Sequence, residues 1–482
     1  MLTPLLIILP LLFSLLLFAL KKEKLIRQLA LAAALIEFVL AVFALIQYTG
    51  YCRCLLLFDF PWLQIQGVSL KFGMDGISLL LVMLTTLLVP VIILSSFRHS
   101  YGKPSAFYGL ILLMEMALVG VFTSFDGLIF YIFWELALIP AYFICAVWGG
   151  NDRIRITFKF FIYTFLGSLL MLVALIYLFY RTSLPHSFSF QALYTAVLTP
   201  AEQAWILLAF FLAFAIKIPI FPFHTWQPDT YTASPGPGTM LLAGIMLKMG
   251  IYGWIRLLIP LGGNALHSYG PFMIILAVTG IVYASLIAIR QEDMKRLVAY
   301  SSIAHVGLMA AGVFTLQTIA MEGAVIQMIS HGINIVGLFI IIEYIQERLG
   351  TRKISDLGGL ATKAPWLAIF FMIILLGSIA LPLTNGFIGE FLLLLGLFEY
   401  NVVVASIAGV TVILGAVYML WMFQRTMLGK TNERTEQMTD LTGTEMITLI
   451  PLIILIFWIG LFPGFFLNIA LPDIEHIISL VK

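Results

Sequence analysis

The sequence predicts an all-α polytopic membrane protein, and three observations predict it. Of 482 residues, 62% are hydrophobic and only 10% are charged. Soluble domains carry about 25% charged residues, so these charges are too few to wet the surface of a globule this size. Apolar runs long enough for a helix to cross a bilayer recur along the whole chain. The formal net charge is only +2, which leaves no basic surplus to meet phosphates. A soluble enzyme, a disordered chain and a nucleic-acid binder are thereby excluded.

A crossing helix needs about 20 apolar residues. On that scale about fourteen spans are expected, centred near residues 11, 38, 86, 114, 137, 168, 213, 249, 280, 306, 332, 380, 413 and 455. The first run, MLTPLLIILP, has its basic cluster (Lys21, Lys22, Lys24) behind it rather than ahead of it. It therefore reads as a retained helix and not as a signal peptide. The cations test the count. Connector 1–2 holds Lys21, Lys22, Lys24 and Arg27; connector 3–4 holds Arg98 and Lys103; connector 5–6 holds Arg153, Arg155 and Lys159. Connector 9–10 holds Arg290, Lys295 and Arg296; connector 11–12 holds Arg348, Arg352, Lys353 and Lys363; connector 13–14 holds Arg425, Lys430 and Arg434. Those connectors share one side and carry nineteen of the 26 cations, against Arg53, Lys71, Arg181, Arg256 and Lys482 on the other. The positive-inside rule then places both termini outside.

Two cations remain, Lys217 and Lys248, and both fall inside predicted spans. A charge at a helix centre costs about 2.5–3.5 kcal/mol on insertion scales, so it normally meets a partner charge, a bundle interior or water. Glu135 and Glu390 also lie in apolar runs, as do His305 and His331. Ser301 and Ser302 share a helical face with His305, and Gln327, His331 and Asn334 form one polar stripe. Packing alone can account for one such histidine, but four ionisable Lys and Glu residues inside spans point to chemistry. Glu37 and Glu115 stand singly on their spans, and both a structural and a functional reading stay open for them.

Proline marks two interruptions. Pro219 and Pro222 follow Lys217, and Pro382, Asn385 and Gly386 precede Glu390. A proline within a helix frees a carbonyl, which at membrane depth is tolerated where the backbone is enclosed by protein or lines a wet cavity. Two interrupted segments in two halves of a chain are the pattern of an inverted-repeat transporter. The expected organisation is spans 1–3 over 1–104 and a five-helix repeat (spans 4–8) over 105–262. A second, inverted repeat (spans 9–13) covers 263–425, and span 14 with the tail covers 426–482. A lysine in a dry site can lose and regain a proton near neutral pH, a nearby carboxylate opposes that loss, and histidine titrates there by default. Together these residues suit a proton relay running Glu135, Lys217, Lys248, His305 and His331, Glu390. Carrying one proton against 100 mV costs about 2.3 kcal/mol. No GxGxxG, P-loop or C-x-x-C pattern supplies a nucleotide or redox site to meet that cost. Cys52 and Cys54 form only a C-x-C pair, and Cys145 lies in an apolar run. The energy source is expected on a partner or in an opposing ion gradient.

Seven segments carry a family resemblance: MDGISLLL from 74, FWELALIP from 133, AFAIKIPIFPFHTWQPD from 213, LLAGIMLKMGIYG from 241, QEDMKRLVAYSSIAHVG from 291, MISHGIN from 328 and LPLTNGFIGEF from 381. From about Met74 to Arg425 the chain resembles the antiporter-like subunits of respiratory complex I. That wider family includes Mrp-type sodium/proton antiporter subunits and membrane-bound hydrogenase subunits. Glu135 in the distal glutamate position rather than a lysine, the length, and an end just after the fourteenth span point within it to the M type of NADH–quinone oxidoreductase, the counterpart of mitochondrial chain 4. The resemblance implies a salt-bridge pair at Glu135 and Lys217 and a central lysine at Lys248. It implies connecting histidines at His305 and His331, and a channel-terminating glutamate at Glu390 on a broken twelfth helix. It also implies a multi-pass subunit of the inner (cytoplasmic) membrane that takes part in a translocating oxidoreductase without redox catalysis of its own. NADH, FMN, iron–sulfur clusters and quinone would then sit on partner subunits of the membrane and peripheral arms, with none in this chain. The alternative is a subunit of an Mrp-type sodium/proton antiporter. Two departures stand out. Tyr231 and Ala233 replace the usual His and Glu after HTWQPD, and Leu383 follows Pro382 where the family often has Gly.

Overall fold

The computed structural model describes residues 2–50, 57–63 and 67–481, so that Cys52, Cys54, Arg53 and Lys482 lie outside the described residues. In chain order the elements are α1 (Leu2–Ala19), α2 (Glu23–Gly50), the hairpin β1 (Phe58–Leu63) and β2 (Val68–Phe72), α3 (Gly76–Ser95), α4 (Pro104–Thr123), α5 (Gly127–Trp148), α6 (Arg153–Arg181), the short α7 (Phe190–Tyr194) and α8 (Pro200–Lys217). Then come α9 (Gln227–Ala233), α10 (Gly236–Leu241), α11 (Lys248–Gly253), α12 (Ile259–Ile289), α13 (Met294–Phe314) and α14 (Thr318–Leu349). The chain continues through the short α15 (Leu360–Lys363), α16 (Pro365–Ser378), α17 (Asn385–Tyr400), α18 (Val402–Met427), α19 (Gly443–Leu461) and α20 (Gly464–Ser479).

Local chemistry explains where these helices begin. Pro104, Pro200 and Pro365 occupy first helical positions, where the missing N–H would have no partner anyway. Asp75, Asp126, Asp293 and Asn401 accept first-turn N–H groups. Thr199 with Glu202, and Thr442 with Glu445, form reciprocal capping boxes.

Among the described residues twelve helices are long and apolar enough to cross a membrane. The difference from the fourteen expected arises at two places. Residues 236–289 run as one 54-residue helical stretch, broken only by a non-helical Gly263 (φ 45°). The span expected near residue 380 is divided into α16 and α17, each too short to cross alone.

The chain forms two compact units. The first comprises 1–218, 245–271 and 468–482. In it α1 packs on α4 through Ser14, whose hydroxyl donates to Gly109 O at 2.7 Å. A Cβ at Gly250 of α11 would collide with Ile218, so glycine there lets α11 close onto the end of α8. Arg256 is 95% enclosed, in a π-helical turn of the long stretch. Its guanidinium pairs with Asp75 at the start of α3 and bonds Ser78 Oγ at 3.3 Å.

The second unit comprises 219–244 and 272–467. Its centre is α14, whose most apolar stretch is entirely buried. A Cβ at Gly389 of α17 would run into Gln327, so the broken helix lies directly on the polar stripe of α14. Connector cations of this unit also tie its ends together. Arg296 pairs with Asp229 at 3.1 Å, Arg352 with Asp293 at 2.6 Å, and Lys295 donates to Ser234 O at 2.7 Å.

Asp126 provides a pH test of the first unit. Burial pushes its carboxyl up to about 6, against hydrogen bonds from the Ile129, Ser69 and Leu128 backbone and the field of Lys71. The folded state therefore holds this proton more tightly than the unfolded chain. Its stabilising contribution is complete below the ordinary carboxyl range and is lost as pH rises through about 6. Asp126→Asn keeps the cap and cannot ionise. The variant is expected to gain on wild type by up to roughly 3 kcal/mol between about pH 4 and pH 7. Unfolding midpoints of the two proteins across that range check it, and a pH-independent difference would refute the assignment.

Candidate functional site

The first unit brings Glu135, Lys217 and Lys248 into one group of helices. Lys217 is the last residue of α8, where a cation meets the unpaired carbonyls of the helix end. Pro219 two residues on stops the helix from continuing. The Lys217 side chain is 3% exposed, and its Nζ lies 5.2 Å from the centre of the Trp134 ring on α5. The next residue on α5 is Glu135, half-buried, which interacts electrostatically with Lys217 and lies near Ser168 of α6. The interruption expected from the prolines thus leaves this buried lysine at a helix terminus beside an aromatic face.

Lys248 is fully enclosed at the start of α11. Two π-helical turns, Leu242–Met246 and Trp254–Leu258, flank it. Such turns release the regular hydrogen-bond ladder and let a side chain be re-aimed. One turn beyond it, Tyr252 donates to Phe122 O at 2.9 Å and fixes α11 to α4.

The second unit brings together His305, His331 and Glu390. Glu390 of α17 meets His305 Nδ1 at 2.7 Å and accepts from Gln327 Nε2 at 3.3 Å. The His305 and His331 rings are 6.0 Å apart between centroids. All three titratable side chains are at least 94% enclosed. The rest of the α14 stripe holds the helix break. Asn334 Nδ2 donates to Asn385 Oδ1 at 3.1 Å, and Ser330 Oγ donates to Asn385 O at 3.0 Å. Asn385 in turn accepts from the Gly386 N–H at 2.9 Å. Leu383 adopts φ 76°, the left-handed conformation that Gly takes freely. The break therefore survives the loss of that glycine, with Leu383 held in a costly conformation.

Three contributors escaped the sequence reading. Ser168 supports Glu135, Trp134 lies against Lys217, and Tyr418 of α18 donates to Ser301 Oγ at 3.0 Å. Trp134 and Tyr418 look like ordinary lipid-facing or core aromatics in sequence, and a lone mid-span hydroxyl such as Ser168 has no distinguishing spacing. Tyr231, which replaces the family's usual His, is fully buried, and burial pushes its hydroxyl above the ordinary tyrosine range. It adds no group that titrates near neutrality to that connector. Among the described residues no group of three or more His, Cys, Asp or Glu could hold a metal ion.

The family described as "NADH:quinone oxidoreductase/Mrp antiporter, TM" matches residues 124–415. NADH-quinone oxidoreductase subunit M of Rickettsia prowazekii is 42% identical over 462 residues, covering 95% of this chain and 94% of the relative. NADH-ubiquinone oxidoreductase chain 4 of Marchantia polymorpha is 35% identical over 479 residues, covering 98% and 96%. Among solved structures, a chain of respiratory complex I from Thermus thermophilus with bound NADH superposes with a TM-score of 0.93 at 32% identity, covering both chains fully. A chain of the Mrp complex from a Dietzia species shares the fold, with a TM-score of 0.85 at 21% identity, over 99% of this chain and 52% of that one. The chain belongs to the NADH:quinone oxidoreductase/Mrp antiporter transmembrane family and, within it, groups with the subunit M and chain 4 members.

Proposed function

We propose that this chain is the proton-translocating M-type subunit in the membrane arm of NADH:quinone oxidoreductase. Its relay consists of Glu135, Lys217, Lys248, His305, His331 and Glu390. The observation that carries this reading is the enclosure of Lys217 at the end of an interrupted helix, against Trp134 and beside Glu135. A lysine kept dry with one nearby carboxylate holds its proton conditionally. Hydrating or moving the carboxylate changes whether the proton stays. The contact of His305 with Glu390 at 2.7 Å, with His331 close by, supplies a second set of groups able to pass a proton. Redox chemistry in partner subunits drives the transfer, and NADH, FMN, iron–sulfur clusters and quinone are bound there.

The same reading counts fourteen crossings. Gly263 divides residues 236–289 into two of them, and α16 with α17 forms one broken crossing. Two inverted repeats, 105–262 and 263–425, each carry one interruption, between residues 1–104 and 426–482. Both termini face outward from the inner membrane.

Purification of the native assembly from membranes tests this function. The chain is expected to co-purify with flavin- and iron–sulfur-containing subunits, and the reconstituted assembly to pump protons on NADH addition. Sodium transport in vesicles lacking NADH and quinone would overturn it in favour of a secondary antiporter.

A further inference from the structure

We infer that Glu37 and Glu115 form a second proton-holding site, a carboxylate pair that shares a proton within the first unit and apart from the six relay residues. Glu37 lies on α2 and Glu115 on α4, and both side chains are completely enclosed. None of their four carboxylate oxygens has a hydrogen-bond partner among the described residues. Each is the other's electrostatic neighbour. A lone carboxylate would need a cation or several N–H donors to stay ionised here. The helices packed around the pair provide little of either. Neither α1 nor α3 carries a titratable side chain anywhere along its length. On α5 the ionisable carboxyl is Glu135, which is engaged with Ser168. The α11 helix, which carries Lys248, meets α4 at Phe122, two helical turns along the same face from Glu115.

Two carboxylates that share an apolar site do not both ionise. One proton between them replaces their repulsion with an O–H···O⁻ hydrogen bond. That proton satisfies two of the four oxygens at once, which is the chemistry this enclosure lacks. A divalent metal is a poor occupant by comparison. Calcium takes six to eight oxygen ligands, whereas this pair offers four and, among the described residues, no third acidic or histidine group joins it. The ligand of the site is therefore a proton.

Infrared difference spectroscopy of the purified intact assembly, with and without hydrogen–deuterium exchange, tests the inference. The wild type is expected to show a protonated-carboxyl C=O band that shifts on deuteration. Glu37→Gln and Glu115→Gln should each remove or displace that same band, because the proton belongs to both residues. Asp126→Asn should leave it in place. A band unchanged in either Gln variant would overturn the pair. So would a band abolished by sodium in wild type, since the occupant would then be a metal cation. If a Gln variant does not assemble, Glu37→Asp and Glu115→Asp decide the matter. They keep two carboxyls but alter their separation, so an unshifted band rejects the shared proton.

Discussion

Replacing Lys217 with Ala is expected to abolish proton translocation while the assembled complex stays intact. The side chain is almost wholly enclosed at the end of α8, so truncation removes a buried cation whose insertion was itself costly. Its ammonium lies over the Trp134 ring, with Nζ 5.2 Å from the ring centre. Glu135 is only half-buried, which limits the penalty of leaving it without its cation. Stability therefore changes little, whereas the group that binds and releases the proton is gone. Lys217→Arg sharpens the test. Guanidinium keeps the charge but does not deprotonate in a protein, so it too should fail to pump. Glu135→Ala should abolish pumping in the same way. NADH-driven uptake of a pH-sensitive dye in proteoliposomes, measured beside complex assembly on native gels, reads both effects. A normal proton-to-electron ratio in Lys217→Ala or Glu135→Ala would sink the relay.

The largest loss of stability is expected from Arg348→Ala or Glu445→Ala. Arg348 Nη2 lies 2.8 Å from both oxygens of Glu445, and the two side chains are 8% and 2% exposed. Glu445 also closes the capping box of α19 with Thr442, and Arg348 donates to Asp440 O at 3.3 Å. Removing one partner leaves an uncompensated buried charge, which costs about 3–5 kcal/mol. Glu445→Ala adds the loss of the cap, about 1 kcal/mol more. An apolar double variant, Arg348→Met with Glu445→Met, should recover most of the loss, because it leaves no orphan charge. Unfolding midpoints of the three variants check the pattern. Single-variant losses below about 1 kcal/mol, the range of exposed pairs, would show that water screens this contact.

Much of this molecule is readable from residues in order. The scarcity of charge, the spacing of apolar runs and the one-sided placement of basic connectors follow from the cost of polar groups in hydrocarbon, and that cost is local. The helix starts at Pro104, Pro200 and Pro365 are local for the same reason. So are the interruptions after Lys217 and before Asn385, since proline removes its own N–H wherever the chain goes. The stripe of Gln327, His331 and Asn334 could be placed on one face from spacing alone, but nothing in its spacing says what it meets.

The sequence by itself determined that this is a polytopic helical membrane protein with a small remainder of ionisable residues inside its spans. Tertiary structure alone decided the partners of those residues. It set His305 against Glu390, Trp134 against Lys217, Ser168 near Glu135, and Asn385 against the α14 stripe. It also paired Arg256 with Asp75 and set Glu37 within electrostatic reach of Glu115. The physical reason is distance. Hydropathy and helix breaking act within a few residues, whereas an ion pair or a shared proton joins groups about 50 to 180 positions apart in the chain, and only packing brings them within reach.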